Sequence, residues 1–457
     1  MQTLNEQIIN LLQLQQRFFA SNTTKDTNYR LRQLKRLKAA ILRYEDKISE
    51  ALWEDLHKSA EEAFLTEISL VIQEIDNHIR HLRRWAKPQK VASTLAILPS
   101  KCRIISEPLG LALIIAPWNY PFQLVFNPLV GAISAGCCAV VKCSPYIPAT
   151  AAVMEELITE CFPREYVAFM NGNRDVNRAL LEQKFDVIFF TGSPELGKIV
   201  MRAAAEHLTP VVLELGGKSP CIVDRSADVE IAARRVAWGK CTNAGQTCIA
   251  PDYLFLHRDV RDEFVEKYRQ AIVQMYGDDP KQSPNYPRIV SDKAFARLTE
   301  LLQKGRIVVG GETDADEQYI APTLIEGVVP GTPIMDEEIF GPILPVIPFS
   351  NISDVIDTVN LRPKPLALYY FGDKKTARRV LNSTSSGGAC INDTLLHIAN
   401  HRLPFGGVGN SGMGKYHGRD SFLAFSNRRA LVVSRNRPDL PFRYSPFKMF
   451  GLVKKIL

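Results

Sequence analysis

No uninterrupted run of about 20 apolar residues occurs, so no bilayer-spanning helix is expected; the apolar stretch Leu111–Ala116 stops at Pro117. The segment from Met1 to Glu6 has neither a basic start nor an apolar core, so no secretory signal is expected. Paired C-x-x-C spacing is missing around Cys137, Cys138 and Cys143. His397 and His401 stand four apart, but Ile398 breaks the H-E-x-x-H pattern, and no metal site is expected. Excess charge of one sign is small: 56 basic against 49 acidic residues give +7, spread along the chain, which argues against a nucleic-acid partner. The densest basic stretch, Arg30 to Arg43, carries Arg32, Lys35, Arg36 and Lys38 above Leu31, Leu34, Leu37 and Ile41 at helical spacing, and reads as a solvated amphipathic helix. The nine cysteines are odd in number and several lie in apolar runs, the pattern of reduced thiols in a cytoplasmic protein.

What is present is a long chain with regular alternation. At 457 residues it exceeds what one hydrophobic core supports, so two or more domains are expected. Residues 4 to about 87 read as helices, followed by short strand-like runs at Arg103–Ile105 and Leu111–Ile115. Strands near Cys138–Val141, Val167–Met170 and Asp186–Phe190 then alternate with helices near Ala149–Cys161 and Pro194–His207. A second alternating region holds strands near Ser219–Val223, Tyr253–Leu256 and Leu344–Ile347. Strand and helix in alternation predict an α/β fold with parallel sheets covered on both faces.

Cys248 follows Asn243-Ala244-Gly245-Gln246-Thr247, a small and polar setting that suits chemistry better than packing. A thiolate is a strong nucleophile. Glu214 ends an apolar run before Leu215 and the pair Gly216-Gly217; a carboxylate there can act as a general base, although a surface glutamate is the commoner case. Asn119, fixed between Pro117 and Pro121, can present its amide to a developing oxyanion, or simply serve a turn. Thr191-Gly192-Ser193-Pro194 joins a strand to a helix. Ser193 suits the N-cap and Pro194 the first helical position, so the free N–H groups suit a pyrophosphate, although Gly192 to Gly197 does not follow G-x-G-x-x-G. Glu338, two residues before Phe340, offers an acceptor for ribose hydroxyls.

Together Val211–Lys218, Asn243–Asp252, Pro117–Pro121, Glu338–Pro342 and Leu403–Gly407 resemble the aldehyde dehydrogenase superfamily. Cys248–Tyr253 and Asn410–Gly418 are similar to its class 3 branch. The resemblance implies two Rossmann-type parallel-sheet domains plus a small β oligomerisation element. The cofactor domain would take 1–90 and 109–213, the catalytic domain 214–410, the bridging element 90–108 and 411–445, and a tail 446–457. It implies NAD(P)-dependent oxidation of aldehydes to carboxylic acids through a thioester on Cys248, with water activated by Glu214 and an oxyanion hole at Asn119. Lys142, Thr191, Gly192, Ser193, Gly197, Leu215, Glu338 and Phe340 would touch the cofactor, and Tyr120 and Trp238 would line the aldehyde tunnel. The family usually places Pro-Ser-Glu after the lysine; here Cys143-Ser144-Pro145 follows Lys142, and Pro145 cannot accept the adenosine 2′-hydroxyl or repel a 2′-phosphate. Use of both NAD and NADP is therefore predicted. Class 3 relatives imply a homodimer, and the basic, apolar tail from Phe447 could touch a membrane peripherally. Two rivals stand beside this reading: a cofactor-free cysteine hydrolase, which needs a histidine near Cys248, and a silent scaffold, which would be expected to lose Cys248, Glu214 or Asn119.

Overall fold

The computed structural model describes all residues except 1, 2, 438, 440–443, 448, 449 and 457. Two parallel-rich sheets dominate. The first runs in the order Gly412–Met413, Val211–Leu215, Val187–Gly192, Leu111–Ile115, Cys138–Lys142, Val167–Met170. Its strands are parallel except the two-residue edge at Gly412, which pairs antiparallel with Glu214. From the central strand Leu111–Ile115 the chain winds outward through Cys138–Lys142 and Val167–Met170, then returns to the other side. Ligands of doubly wound sheets bind at the carboxyl ends of the strands, beside such a reversal. The loops starting at Ala116, Cys143, Ser193 and Gly216 all leave from those ends.

The second sheet runs Arg306–Val309, Thr323–Glu326, Ile343–Phe349, Tyr253–His257, Pro220–Val223, Ala367–Phe371, Gly388–Ile391, parallel except for its first strand. A third, antiparallel sheet joins Gln89–Val91, Lys101–Pro108 and Ser426–Val433. The C-terminal segment differs from the expected division. Residues 412–413 join the first sheet, and Arg419–Ala424 packs on the buried helix Pro121–Ala135, so only Ser426–Val433 belongs to the bridging sheet. The reason lies in composition: Phe422 and Phe425 are apolar and buried, whereas the strand from Ser426 is mostly exposed.

Helix Thr27–Leu56 buries Leu31, Leu34, Leu37 and Ile41 as its periodicity requires. Arg30 departs from the solvated face. It is 4% exposed, and its guanidinium donates to the carbonyls of Thr24, Ser134 (3.1 Å) and Lys25 (3.1 Å), pinning the helix to Pro121–Ala135. Of the C-terminal tail, Lys448, Met449 and Leu457 lie outside the described residues, while Phe450–Ile456 forms a short helix.

Candidate active site

Helix Val229–Cys241 ends in a tight turn, Thr242–Gly245, in which Asn243 (φ 51°) and Ala244 (φ 50°) are left-handed. Gly245 follows at φ 73°, where a Cβ would stand 2.2 Å from the carbonyl oxygen of Gly341. Only glycine permits this approach, which presses the turn against the loop carrying Glu338 and Phe340. Cys248 emerges from the turn half-buried. Burial pushes its thiol well up, and Glu338 and Glu214 push it the same way.

Glu214 is 3% exposed, and neither carboxylate oxygen has a hydrogen-bond partner. Burial raises its carboxyl well above the usual range, against a smaller pull from Lys415. Glu338 is raised to about 8, chiefly by burial and then by Asp252. Asp252 shapes that loop: it takes the Lys218 ammonium and accepts from the N–H of Ile339 at 2.9 Å, while Lys218 also donates to the carbonyls of Ile334 (2.9 Å) and Glu337 (2.8 Å). Phe340 stands edge-on to Trp118 at 5.4 Å, so the Asn119 and Glu338 loops meet across the cleft.

Asn119 is 2% exposed and braced on three sides. Its amide donates to the Gln246 carbonyl (3.0 Å), and its carbonyl accepts from Asn243 Nδ2 (2.8 Å) and Lys58 Nζ (3.2 Å). Tyr120 shares a 2.6 Å hydrogen bond with Thr247, and Lys58 Nζ sits 4.3 Å from the centre of its ring. Lys58 is fully buried with Glu67, whose other oxygen accepts from the N–H groups of Phe122 (2.8 Å) and Gln123 (3.2 Å). Glu62 accepts from the N–H of Asn243 at 2.7 Å and is raised to about 7 by burial. The N-terminal helices thus hold both loops that flank the thiol. Replacing Glu67 by glutamine takes from the buried Lys58 cation its ion-pair partner, leaving only the more distant Glu62, at a cost of about 3–5 kcal/mol. Urea denaturation of the Glu67→Gln variant is expected to show that loss; a change below about 1 kcal/mol would remove the pair from the support of this site.

One cleft of about 1590 Å³ joins Cys248, Glu214, Asn119, Tyr120, Trp238, Glu338, Phe340, Leu215, Thr191, Gly192 and Ser193. At its far end Ser193 caps helix Pro194–Glu206, and Thr191 Oγ1 is buried without a partner. Two expected cofactor residues stand elsewhere. Gly197 is buried beneath Leu215, where a Cβ would meet Cδ2 at 2.7 Å, and it seats the helix on strand Val211–Leu215 instead of facing the cleft. Lys142 is 1% exposed, outside the cleft wall, because its ammonium folds back onto the Cys143 carbonyl; Cys143, Ser144 and Pro145 line the cleft in its place. Tyr416, part of the Asn410–Gly418 motif but given no role there, lines the cleft with a buried hydroxyl that has no partner. Lys58, Glu62 and Glu67 were equally silent, since their spacing is that of ordinary helix residues.

The sequence pattern of the Aldehyde dehydrogenase family matches residues 5–431. The chain is 48% identical to aldehyde dehydrogenase family 3 member B1 of Bos taurus, over 94% of this chain and 92% of that protein. It is 46% identical to the 4,4'-diaponeurosporen-aldehyde dehydrogenase of Staphylococcus aureus, over 94% of this chain and 95% of that one. A solved structure described as the substrate-bound state of Staphylococcus aureus AldH has a TM-score of 0.97 and 44% identity, covering 100% of both chains. Agreement of this extent, over a cleft that gathers a thiol, a buried carboxyl and a half-buried one, leaves one conclusion: the chain belongs to the aldehyde dehydrogenase family and oxidises aldehydes to carboxylic acids with NAD(P).

Proposed function

We propose that Cys248 is the nucleophile, Asn119 an oxyanion donor and Glu214 the base of this reaction, and that its substrates are aldehydes with extended apolar tails. The observation that carries this reading is the shared cleft, in which sulfur, amide and unpartnered carboxylate face one space. A carboxamide has two N–H donors. One of Asn119's is held by Gln246, and the other is free for an oxygen in the cleft. With the N–H of Cys248 it stabilises the oxyanion formed when the Cys248 thiolate, its proton lost to solvent in the open cleft, attacks the carbonyl; one such donor is worth about 3–4 kcal/mol. The dinucleotide fits the residues present: Thr191 Oγ1 lacks a partner, the helix after Ser193 offers free N–H groups, and Glu338 can accept ribose hydroxyls. When bound, it supplies the hydride acceptor. Glu214 then draws a proton from water, and the hydroxide formed releases the acid from Cys248.

Support for the substrate class comes from Leu65, Leu70, Met275, Tyr276 and Leu396, which line the cleft with Trp238. The Staphylococcus relative's name, which specifies 4,4'-diaponeurosporen-aldehyde, points the same way. Each methylene buried is worth about 0.8 kcal/mol, so kcat/KM is expected to rise about fourfold per added carbon until the tunnel fills. A series of n-alkanals that shows no such rise would overturn the apolar-tail reading.

Dual use of NAD and NADP rests on Pro145, which leaves the adenosine end of the cleft without a carboxylate at that position. Steady-state kinetics with both is expected to give comparable kcat/KM values; a preference for NAD above ~100-fold would reject it. We further propose a cytoplasmic homodimer, supported by nine free thiols and by the exposed strand Ser426–Val433. The tail helix, with Phe450 65% exposed beside Lys454 and Lys455, supports peripheral membrane contact, which co-sedimentation with liposomes tests.

A further inference from the structure

The adenosine end of the cleft carries a pair of cations. Strands Cys138–Lys142 and Val167–Met170 are neighbours, and Lys142 lies opposite Met170 on their last rung. Pro145 is three residues beyond that rung on one strand, and Arg174 is four beyond it on the other. Arg174 opens helix Arg174–Leu181. Arg174, Asn177, Arg178 and Leu181 recur at i, i+3, i+4 and i+7, one helical face, and all four line the cleft together with Ser144, Pro145 and Tyr146. Arg174 and Arg178 are exposed, and neither guanidinium has a hydrogen bond or ion pair among the described residues. Asn177 Oδ1, between them, is buried and has no partner. The acids on the same wall are Glu182 and Glu195, and neither is bonded to these arginines.

Paired guanidinium groups suit a phosphate monoester, because the planar fork donates two parallel N–H groups to two phosphate oxygens, whereas the unpartnered Asn177 Oδ1 is an acceptor and suits a ribose hydroxyl. We infer that Arg174 and Arg178 form the subsite for the 2′-phosphate of NADP, with Asn177 turned toward the same ribose. This deepens the dual-cofactor reading and rests on it. Pro145 removes a repulsive carboxylate from one side of the ribose, and the arginines add attraction from the neighbouring strand's helix. NAD carries a hydroxyl at this position and gains nothing from the two charges.

The test uses the full chain, as wild type and as the Arg174→Ala/Arg178→Ala double variant. Two readouts are needed: the ratio of kcat/KM for NADP to that for NAD, and the affinities of 2′,5′-ADP and 5′-ADP measured by calorimetry without aldehyde. The wild type is expected to bind 2′,5′-ADP more tightly than 5′-ADP, more so at low salt. The double variant is expected to lose that preference, and its NADP-to-NAD ratio to fall roughly 10–100-fold. Arg174→Lys/Arg178→Lys should recover part of the ratio, since it keeps the charge and loses the fork. If the wild type oxidises aldehydes with NAD alone, dual use fails and this subsite with it. If NADP is used and the double variant keeps both the ratio and the 2′,5′-ADP preference, dual use stands and the phosphate is held elsewhere, which overturns the assignment to these arginines.

Discussion

Cys248→Ala is expected to lower NAD(P)H formation by about 10⁴-fold or more, the scale seen when an enzyme loses its nucleophile. The other thiols cannot substitute for it. Cys143 alone among them lines the cleft, beside Ser144 and Pro145, and burial pushes it up to about 11. Cys137 and Cys161 are also raised to about 11, and both are buried. The variant should still bind the dinucleotide, because Thr191, Ser193 and Glu338 are untouched. Absorbance at 340 nm reports the first property, and protein fluorescence quenching by NAD the second. Mass mapping of a trapped acyl group in the wild type should place it on Cys248. Turnover retained in the alanine variant, or an adduct elsewhere, would remove this residue from the chemistry.

Glu214→Gln is expected to separate the two halves of the reaction. Acyl transfer to sulfur does not need this carboxylate; release by water does. Steady-state turnover should fall by ~10²–10⁴, the usual contribution of a positioned base, while one equivalent of NAD(P)H per site still appears in a burst. A variant with full steady-state turnover would contradict the assignment. The pH profile gives an independent reading. Burial holds the Glu214 carboxyl protonated well above its ordinary range, and only the ionised form accepts a proton. Deacylation in the wild type is therefore expected to speed up as pH rises, and that dependence should vanish in the glutamine variant. Burial, then Asp252, push the Glu338 carboxyl up to about 8, so the KM for the dinucleotide should fall as pH rises through that region and an ionised acceptor becomes available.

The sequence was most informative where chemistry needs local backbone geometry. Ser193 and Pro194 marked a helix start, the small and polar residues around Cys248 marked a setting for chemistry, which the structure shows as a tight turn, and the apolar runs at Cys138–Lys142 and Val167–Met170 marked buried parallel strands. It was silent where function depends on partners distant along the chain. Lys58, in the link after helix Thr27–Leu56, and Glu67 look like ordinary surface charges in the sequence, and only their approach to Asn119 and Phe122 gives them a role. Arg30 lay among surface cations by composition and is buried because three carbonyls await it. Lys142 matched a motif, yet its ammonium turns to the Cys143 carbonyl. Strands such as Ala367–Phe371 and Gly388–Ile391 escaped notice because short runs acquire strand character only from neighbours already in place.

The two-residue strand at Gly412 pairs with Glu214 and closes the sheet edge beside it. During synthesis the thiol and the base both emerge from the ribosome long before residue 412 does. The sheet edge beside the base is therefore completed only after residue 412 has been made, well after every reacting group is already in the chain.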